Sequence, residues 1–203
     1  MKKLFGTDGV RGVANLDLTP ELALKVAKAG GYYLGAGSDK PCFLVGRDTR
    51  CSGDMIAGAV IAGLCSVGVD VIDIGILPTP GIAYLTRKLK VNAGIVISAS
   101  HNPIEDNGIK FFDSNGYKLS DEMEEDIEQL LDMDLPRPNG VKIGKVKVLP
   151  DAYELYVDYL IDQVGIRLDG LRVVLDCAYG AAYKVAPLVY RSLGADVISI
   201  NDI

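Results

Sequence analysis

Tryptophan is absent from this 203-residue chain, and histidine and cysteine are scarce. The single histidine is His101, and no two of the four cysteines, Cys42, Cys51, Cys65 and Cys177, are spaced as CxxC. Because structural zinc sites draw their ligands from closely spaced cysteines and histidines, this composition predicts no zinc site. We expect the four cysteines to be reduced thiols in a cytoplasmic protein.

Long apolar segments are also missing. Met1-Lys2-Lys3 is followed within a few residues by Gly6-Thr7-Asp8, where a secretory signal would have an apolar stretch. No apolar run approaches the length that spans a bilayer. We therefore expect neither a secretory leader nor a membrane partner.

Positive charge is in the minority. The 21 lysines and arginines stand against 27 acidic residues, which gives a net charge of -6. Such a chain lacks the basic face of a general nucleic-acid binder, so an anionic ligand must meet a local concentration of positive side chains. The candidates are Arg11, Arg47, Arg50 and Lys110, each in or beside a loop rich in Gly, Asn or Asp.

Short apolar runs alternate with segments of helical periodicity through most of the chain. Strands are predicted at 42–45, 69–74, 93–98 and 109–112, and helices at 19–34, from 52, from 79, at 120–131 and at 151–164. The runs show no polar alternation, as expected of strands buried on both faces. The pattern predicts an α/β fold with a three-layer α/β/α arrangement.

The connections add detail to this prediction. The polar loop before strand 109–112 is too short for a crossover helix, so that strand should be antiparallel to its neighbour in a mixed, mostly parallel sheet. Thr19, Ser52 and Thr79 are each predicted to cap the helix that follows. The acidic run 121–126 is predicted to be the solvated start of a helix, where negative charge suits the helix dipole.

The same alternation restarts near the carboxyl end of the sequence. The predicted elements are strand 171–175, helix 180–193 and strand 196–200. One βαβ unit cannot cover a sheet by itself, and the chain stops at Ile203, directly after a predicted strand. We expect a domain at residues 1–165 and the truncated beginning of a second, similar domain at 166–203, in a fragment of a longer protein.

The segment from Ser98 to Lys110 leaves one buried strand and enters the next, so it can present a side chain into a cleft at the sheet edge. Ser100 has an imidazole beside it at His101, and the loop could bring the ammonium group of Lys110 close to a phosphate. A serine hydroxyl is a weak nucleophile without such a neighbouring base or cation. On residue types alone, a polar turn with a capping serine and a surface histidine accounts for the segment equally well.

Ser98-Ala99-Ser100-His101-Asn102-Pro103 resembles the phosphoserine loop of the α-D-phosphohexomutase superfamily. Three further segments resemble motifs of that superfamily in the expected order, namely Phe5 to Gly12, Gly46 to Gly53 and Leu77 to Gly81. The first of these has the form typical of bacterial members that act on glucosamine phosphate. The resemblance covers the whole chain, and the part from Leu171 onward resembles the opening of the family's second domain.

The resemblance implies a phosphosugar mutase that interconverts glucosamine 6-phosphate and glucosamine 1-phosphate through a phosphoserine and a bisphosphorylated intermediate. It implies that Ser100 carries the phosphoryl group and that His101 and Lys110 handle protons and balance charge beside it. It places Arg11 close to the reacting centre. The residues expected to contact substrate or phosphate are Arg11, Arg47, Arg50, Asn102, Asn107 and Lys110.

Cofactors and partners follow from the same resemblance. Mg²⁺ would bind a phosphate oxygen on Ser100 and an acidic loop of the second domain that this sequence does not contain, and a hexose 1,6-bisphosphate would be activator and intermediate. A homodimer through the first domain is expected. The family's sugar-recognition and phosphate-anchoring loops are also absent from the sequence, so the chain alone is expected to be inactive.

The sequence departs from the family pattern at one position, since Tyr179 stands where the family more usually has asparagine. It also leaves two alternative functions open. Activity on mannose or glucose phosphates is the alternative within the enzyme class. For the chain alone, a non-catalytic phosphosugar-binding or dimerisation module is the alternative outside that class, although the intact pair of Ser100 and Lys110 favours an enzyme.

Overall fold

The computed structural model describes residues 4–6 and 9–202, so Thr7 and Asp8 of the amino-terminal motif, together with Ile203, lie outside the described residues. Within these ranges the strands of the larger sheet are β1 (Val10–Val13), β2 (Cys42–Arg47), β3 (Asp70–Ile76), β4 (Ala93–Ile97), β5 (Asp106–Phe112) and β6 (Val146–Val148). A second sheet contains β7 (Arg172–Asp176) and β8 (Asp196–Ile200). The α-helices are α1 (Pro20–Leu34), α2 (Gly53–Ser66), α3 (Thr79–Lys88), α4 (Asp121–Gln129), α5 (Ala152–Val164) and α6 (Val185–Ser192).

The larger sheet is mixed, with the strand order β1-β5-β4-β2-β3-β6. β5 runs antiparallel to both of its neighbours, β1 and β4. The pairs β4–β2, β2–β3 and β3–β6 are parallel. The predicted antiparallel strand is therefore confirmed, although β5 begins at Asp106, three residues earlier than expected.

The three-layer prediction is confirmed as well. One face of the sheet packs against α1, α2 and α4, with Val26, Val60 and Ile127 among the fully buried side chains of that core. The opposite face packs against α3 and α5, where Ile82 and Leu85 are fully buried. Each such side chain contributes on the order of 1.5–3 kcal/mol through burial. No helix in the described part of the chain is both long and apolar enough to cross a bilayer.

The second sheet is small and open on one side. Its exposed face includes Val174 and Ile198, which are 69% and 61% exposed. Helix α6 joins it to the rest of the chain, because Val185 and Val189 pack into the same apolar cluster as α3 and α5. The predicted helix start at Gly180 was wrong: hydrogen bonds from Gly180 N to Cys177 O and from Tyr183 N to Gly180 O form turns ahead of α6.

Thr19 and Ser52 occupy the N-cap positions predicted for them, whereas Thr79 does not. Thr19 does cap α1, since its side chain accepts a hydrogen bond from the backbone N–H of Leu22. Ser52 makes no side-chain cap bond at α2, and its hydroxyl oxygen instead accepts a hydrogen bond from the Asn107 amide at 2.9 Å. Thr79 is instead the first residue of α3. Pro78 occupies the N-cap position, and no side-chain cap bond is made there.

The acidic run at the start of α4 is solvated except at one position. Glu124 is 1% exposed, and its carboxylate accepts a hydrogen bond from the Lys118 ammonium group at 2.8 Å. The prediction of a fully solvated helix start was therefore wrong at this residue. Glu124 lies three residues before the buried Ile127, on the same face of α4, so the helix turns it towards the core.

The close approach of β4 to α3 gives a stability prediction at Gly94. A Cβ atom added there would lie 2.0 Å from Thr86 Oγ1, and Thr86 is itself fully buried. We expect Gly94→Ala to lower the free energy of unfolding by about 1–3 kcal/mol through overpacking. Gly58→Ala is the matched control, because nothing lies within 4 Å of a Cβ on that helical residue, and it should be neutral or stabilise by about 0.5–1 kcal/mol. Urea unfolding of both variants measures the difference, and equal stability would contradict this account.

The buried amide of Asn107, which is 0% exposed, gives a pH prediction. In Asn107→Asp, desolvation should raise the pKa of the new carboxyl group in the folded state, so that its neutral form is the one that fits. The variant should then be closest to wild type near about pH 4 and should lose about 1–3 kcal/mol as the pH rises above the unfolded pKa of about 3.9. Urea unfolding across this range measures the loss. Asn139→Asp, at an exposed position, should show no such trend, and a pH-independent deficit in Asn107→Asp would count against buried charge as its cause.

Candidate active site

The loops that follow β2, β3 and β4 meet at the carboxyl edge of the parallel strands. They line a cavity of about 730 Å³, a volume typical of small-molecule sites. Its walls are residues 48–50, 78–80, Ser98, Ser100, His101, Asn102, Ile104 and 178–182. The last of these segments follows β7, so the second sheet supplies one wall of the cleft. A cavity of similar volume, about 720 Å³, lies at the opposite edge between the end of α1 and residues 136–138, away from Ser100.

Ser100 lies exposed at this edge, three residues beyond the end of β4. Its φ angle is 58°, in the left-handed region that non-glycine residues seldom adopt. Its hydroxyl oxygen is 3.2 Å from Nδ1 of His101, and its backbone N–H donates a hydrogen bond to the Ser98 hydroxyl at 3.0 Å. The loop therefore presents a hydroxyl to the cleft with an imidazole beside it.

Arg50 lies beneath this loop and donates to its backbone. The two Nη atoms donate to the carbonyl oxygens of Ser100 and Asn102, both at 2.9 Å, to that of Asp106 at 2.9 Å, and to that of Pro103. The side chain is only 9% exposed. Four loop carbonyls thus converge on one guanidinium group.

Asp48 connects Arg50 to the serine loop by a second route. One carboxylate oxygen of Asp48 accepts from Arg50 Nε at 3.1 Å and from the Ser98 hydroxyl at 2.6 Å. The other accepts from the backbone N–H of Arg50 at 3.0 Å. The Ser98 oxygen that donates to Asp48 is also the acceptor for the Ser100 N–H.

Arg11 and Asn102 lie at the base of the loop. The Arg11 guanidinium donates to the Asn102 side-chain oxygen at 3.5 Å, and the Asn102 amide donates to the Asp106 carboxylate at 2.9 Å. A Cβ atom on Gly108, which is opposite Arg11 in the β1–β5 register, would lie 2.9 Å from Arg11 Cγ and 2.8 Å from Ser98 O. Only glycine at position 108 allows the Arg11 side chain to lie this close to the serine loop.

Lys110 follows on β5, paired in register with Val96 of β4. The amino-terminal motif lies against it, because a Cβ atom on Gly9, at φ +84°, would be 3.1 Å from Lys110 Cα and 2.3 Å from Ile109 O. Arg11 and Lys110 thus lie on adjacent strands below the serine loop, and neither of them lines the cavity that contains Ser100.

Arg47, one of the expected phosphate ligands, is directed elsewhere. Its guanidinium group is 2.7 Å from an Asp54 carboxylate oxygen and 3.6 Å from one of Asp73. It does not line the cavity that contains Ser100. Asn107, another expected phosphate ligand, forms hydrogen bonds within the protein. Its side-chain amide donates to the Ser52 hydroxyl, and its side-chain oxygen accepts from the Gly108 N–H at 2.8 Å.

Thr49 and Tyr179, which sequence reasoning did not assign to the site, join the two sides of the cleft. The Thr49 hydroxyl donates to the Tyr179 carbonyl oxygen at 2.6 Å. Tyr179 and its neighbour Ala178 both have positive φ angles, 53° and 48°. At the base of this turn, hydrogen bonds from Asn201 and from the Ala178 N–H hold the pKa of Asp176 below its ordinary value. That carboxylate is therefore ionised when it holds the turn.

The carboxylates near Ser100 do not by themselves form a metal site. Asp48 and Asp106 are already occupied by Arg50, Ser98 and Asn102. Among residues 4–6 and 9–202, no group of three His, Cys, Asp or Glu side chains is close enough to hold a metal ion. A cation at this edge would need further ligands, such as phosphate oxygens.

The cysteines are free thiols within the described residues. Burial raises the pKa of Cys42 and that of Cys65, with the carboxylate of Asp70 acting in the same direction. Both are therefore protonated at neutral pH and behave as small apolar side chains. Cys51, which follows Arg50, is exposed.

Comparison with known proteins identifies the family. Phosphoglucosamine mutases from Pelotomaculum thermopropionicum and Desulforamulus reducens are 55% and 57% identical over 98% of this chain, and one from Clostridioides difficile is 56% identical over 99%. The chain spans 46% of the length of each.

The crystal structure of a phosphoglucomutase/phosphomannomutase family protein from Burkholderia thailandensis matches all of this chain and 44% of its own length, with a TM-score of 0.84 at 25% identity. Residues 2–137 match the family model for phosphoglucomutase/phosphomannomutase, alpha/beta/alpha domain I. The chain therefore belongs to the phosphoglucomutase/phosphomannomutase family and contains its α/β/α domain I.

Proposed function

We propose that this chain carries the phosphoryl-accepting serine of a phosphoglucosamine mutase, which interconverts glucosamine 6-phosphate and glucosamine 1-phosphate. The observation that carries the proposal is the placement of Ser100: its hydroxyl is exposed at the carboxyl edge of β4, in a left-handed backbone conformation, 3.2 Å from His101 Nδ1. The relatives named phosphoglucosamine mutase, at 55–57% identity, favour glucosamine over mannose or glucose as the sugar.

The proposed reaction has two phosphoryl transfers. In the first, a hydroxyl oxygen of the sugar phosphate attacks the phosphorus on Ser100, the bond from phosphorus to Ser100 Oγ breaks, and a sugar bisphosphate forms. In the second, Ser100 Oγ attacks the other phosphate of that bisphosphate and becomes phosphorylated again. The attacking sugar hydroxyl loses a proton in the first transfer. In the second transfer, the other sugar oxygen is released from its phosphate and gains a proton. His101 is the group we assign to this exchange.

Positively charged side chains at the base of the loop would balance the negative charge of the transferred phosphate. We assign the phosphate contacts to Arg11 and Lys110, whose backbones lie on adjacent strands beside the serine loop. Asn102 and Asn107 shape the loop through their bonds to Asp106 and to Ser52. Phosphoryl transfer depends mainly on alignment and electrostatic stabilisation, which this arrangement can supply.

The cofactors, domain organisation, assembly and location of the enzyme complete the proposed function. Mg²⁺ is the cation we propose, with one ligand from the phosphate on Ser100, and the described carboxylates near Ser100 do not supply the others. A hexose 1,6-bisphosphate is the proposed activator and intermediate. We also propose a domain boundary near residue 165, where Gly165 ends α5 in a left-handed conformation, a homodimer through the first domain, and a cytoplasmic location.

Phosphoryl capture by the chain itself tests this function. After incubation with glucosamine 1,6-bisphosphate and Mg²⁺, we expect intact mass and tryptic mapping to find about 80 Da added at Ser100, the mass of a phosphoryl group. Ser100→Ala should lose the added mass, and Ser114→Ala, at an exposed loop position, should keep it. We expect no turnover, because the chain spans less than half of its relatives. Phosphate that persists in Ser100→Ala would contradict the assignment, and no capture at all would show that this chain alone is not a competent acceptor.

A further inference from the structure

The backbone of Ser100 is held on both sides of its Cα atom. The left-handed conformation, at φ 58°, is unfavourable for a residue with a Cβ atom and persists only where its surroundings fix it. The N–H of Ser100 donates to Ser98 Oγ at 3.0 Å, and the C=O accepts from Arg50 Nη2 at 2.9 Å. These two bonds fix the orientation of the peptide groups before and after the serine.

The hydrogen-bonding capacity of Arg50 is fully used within the protein. A guanidinium group has five N–H donors. Its Nε donates to Asp48, one Nη atom donates to Pro103 O and Asp106 O, and the other donates to Ser100 O and Asn102 O. No donor of this side chain is left for a substrate phosphate.

Asp48 and Ser98 complete the connection. The Ser98 hydroxyl has a single proton, and it donates that proton to Asp48 at 2.6 Å. The lone pairs of Ser98 Oγ are therefore free to accept from the Ser100 N–H. Arg50, bonded to the same carboxylate at 3.1 Å, fixes the position of Asp48. The three side chains form one chain of bonds that begins and ends at the backbone of Ser100.

We propose that Arg50, Asp48 and Ser98 are positioning residues, which hold Ser100 in its left-handed conformation and so aim its hydroxyl at the substrate, and that Arg50 does not bind the substrate phosphate. The role in phosphoryl transfer rests on the function proposed above, whereas the control of loop conformation does not. Lysine cannot replace Arg50, because a single ammonium group lacks the planar fork that reaches four carbonyl oxygens at once.

The first experiment measures loop conformation without any substrate. Amide hydrogen exchange of peptides covering residues 98–106 should be at least about tenfold faster in Arg50→Lys and in Ser98→Ala than in the wild type, because local opening becomes easier. Arg167→Lys and Ser66→Ala are matched controls. Arg167 forms an ion pair with an aspartate two residues away, as Arg50 does, and the Ser66 hydroxyl donates to a backbone carbonyl far from the loop. Neither control should alter exchange in this segment.

The second experiment measures turnover in the full-length enzyme. If the network positions the nucleophile, Arg50→Lys and Ser98→Ala should lower kcat by about 10- to 100-fold and leave KM within about twofold of the wild type, as expected for a misplaced reacting group. A raised KM in Arg50→Lys, with unchanged exchange, would show that Arg50 binds the substrate and would overturn the proposal. If Arg50→Lys does not fold, Ser98→Ala tests the positioning network, and unchanged exchange with unchanged kcat in that variant would overturn it. Absence of mutase activity in the wild type would refute the proposed function, while the exchange experiment would still test the network.

Discussion

The candidate site depends on the antiparallel return of the chain from β4 to β5. In a sheet whose other central pairs are parallel, the chain leaves the carboxyl edge by way of helices that cross to the far side. Here it turns back at once and pairs with the strand it has just left. The loop that carries Ser100 is therefore fixed at both ends to adjacent strands. The same pairing puts Gly108 and Lys110 below that loop. Gly108 is the residue paired in register with Arg11 on β1.

Much of this architecture is predictable because local sequence and burial agree. The apolar runs that form β2, β3 and β4 lack polar alternation, and the short connection before β5 permits only an antiparallel pairing. The edge strands β1 and β6 escape prediction for the opposite reason. β1 lies in a glycine-rich motif, and the three residues of β6 are all exposed. Neither segment has a run of adjacent apolar residues like those of β2, β3 and β4, and the alternation of valine and lysine in β6 extends over only three residues.

The roles of polar side chains are harder to predict, because they depend on partners far away in the sequence. Ser52 and Thr19 both have the residue type and position of a helix cap, yet Ser52 is engaged by Asn107, 55 residues later. Arg47 and Arg50 share one motif and look equivalent in sequence. The fold directs Arg47 to Asp54 and Asp73 and places Arg50 beneath the serine loop. Nothing in the residue types distinguishes them.

The conformation of Ser100 also has a consequence for engineering. Glycine adopts positive φ angles without the steric cost that any other residue meets there. A selection for thermostability alone would therefore favour glycine at position 100, and would remove the only hydroxyl that the loop presents next to His101. The residue that the chemistry requires is the one that the backbone tolerates least well. Stability and activity are opposed at this single position, as they often are at active sites.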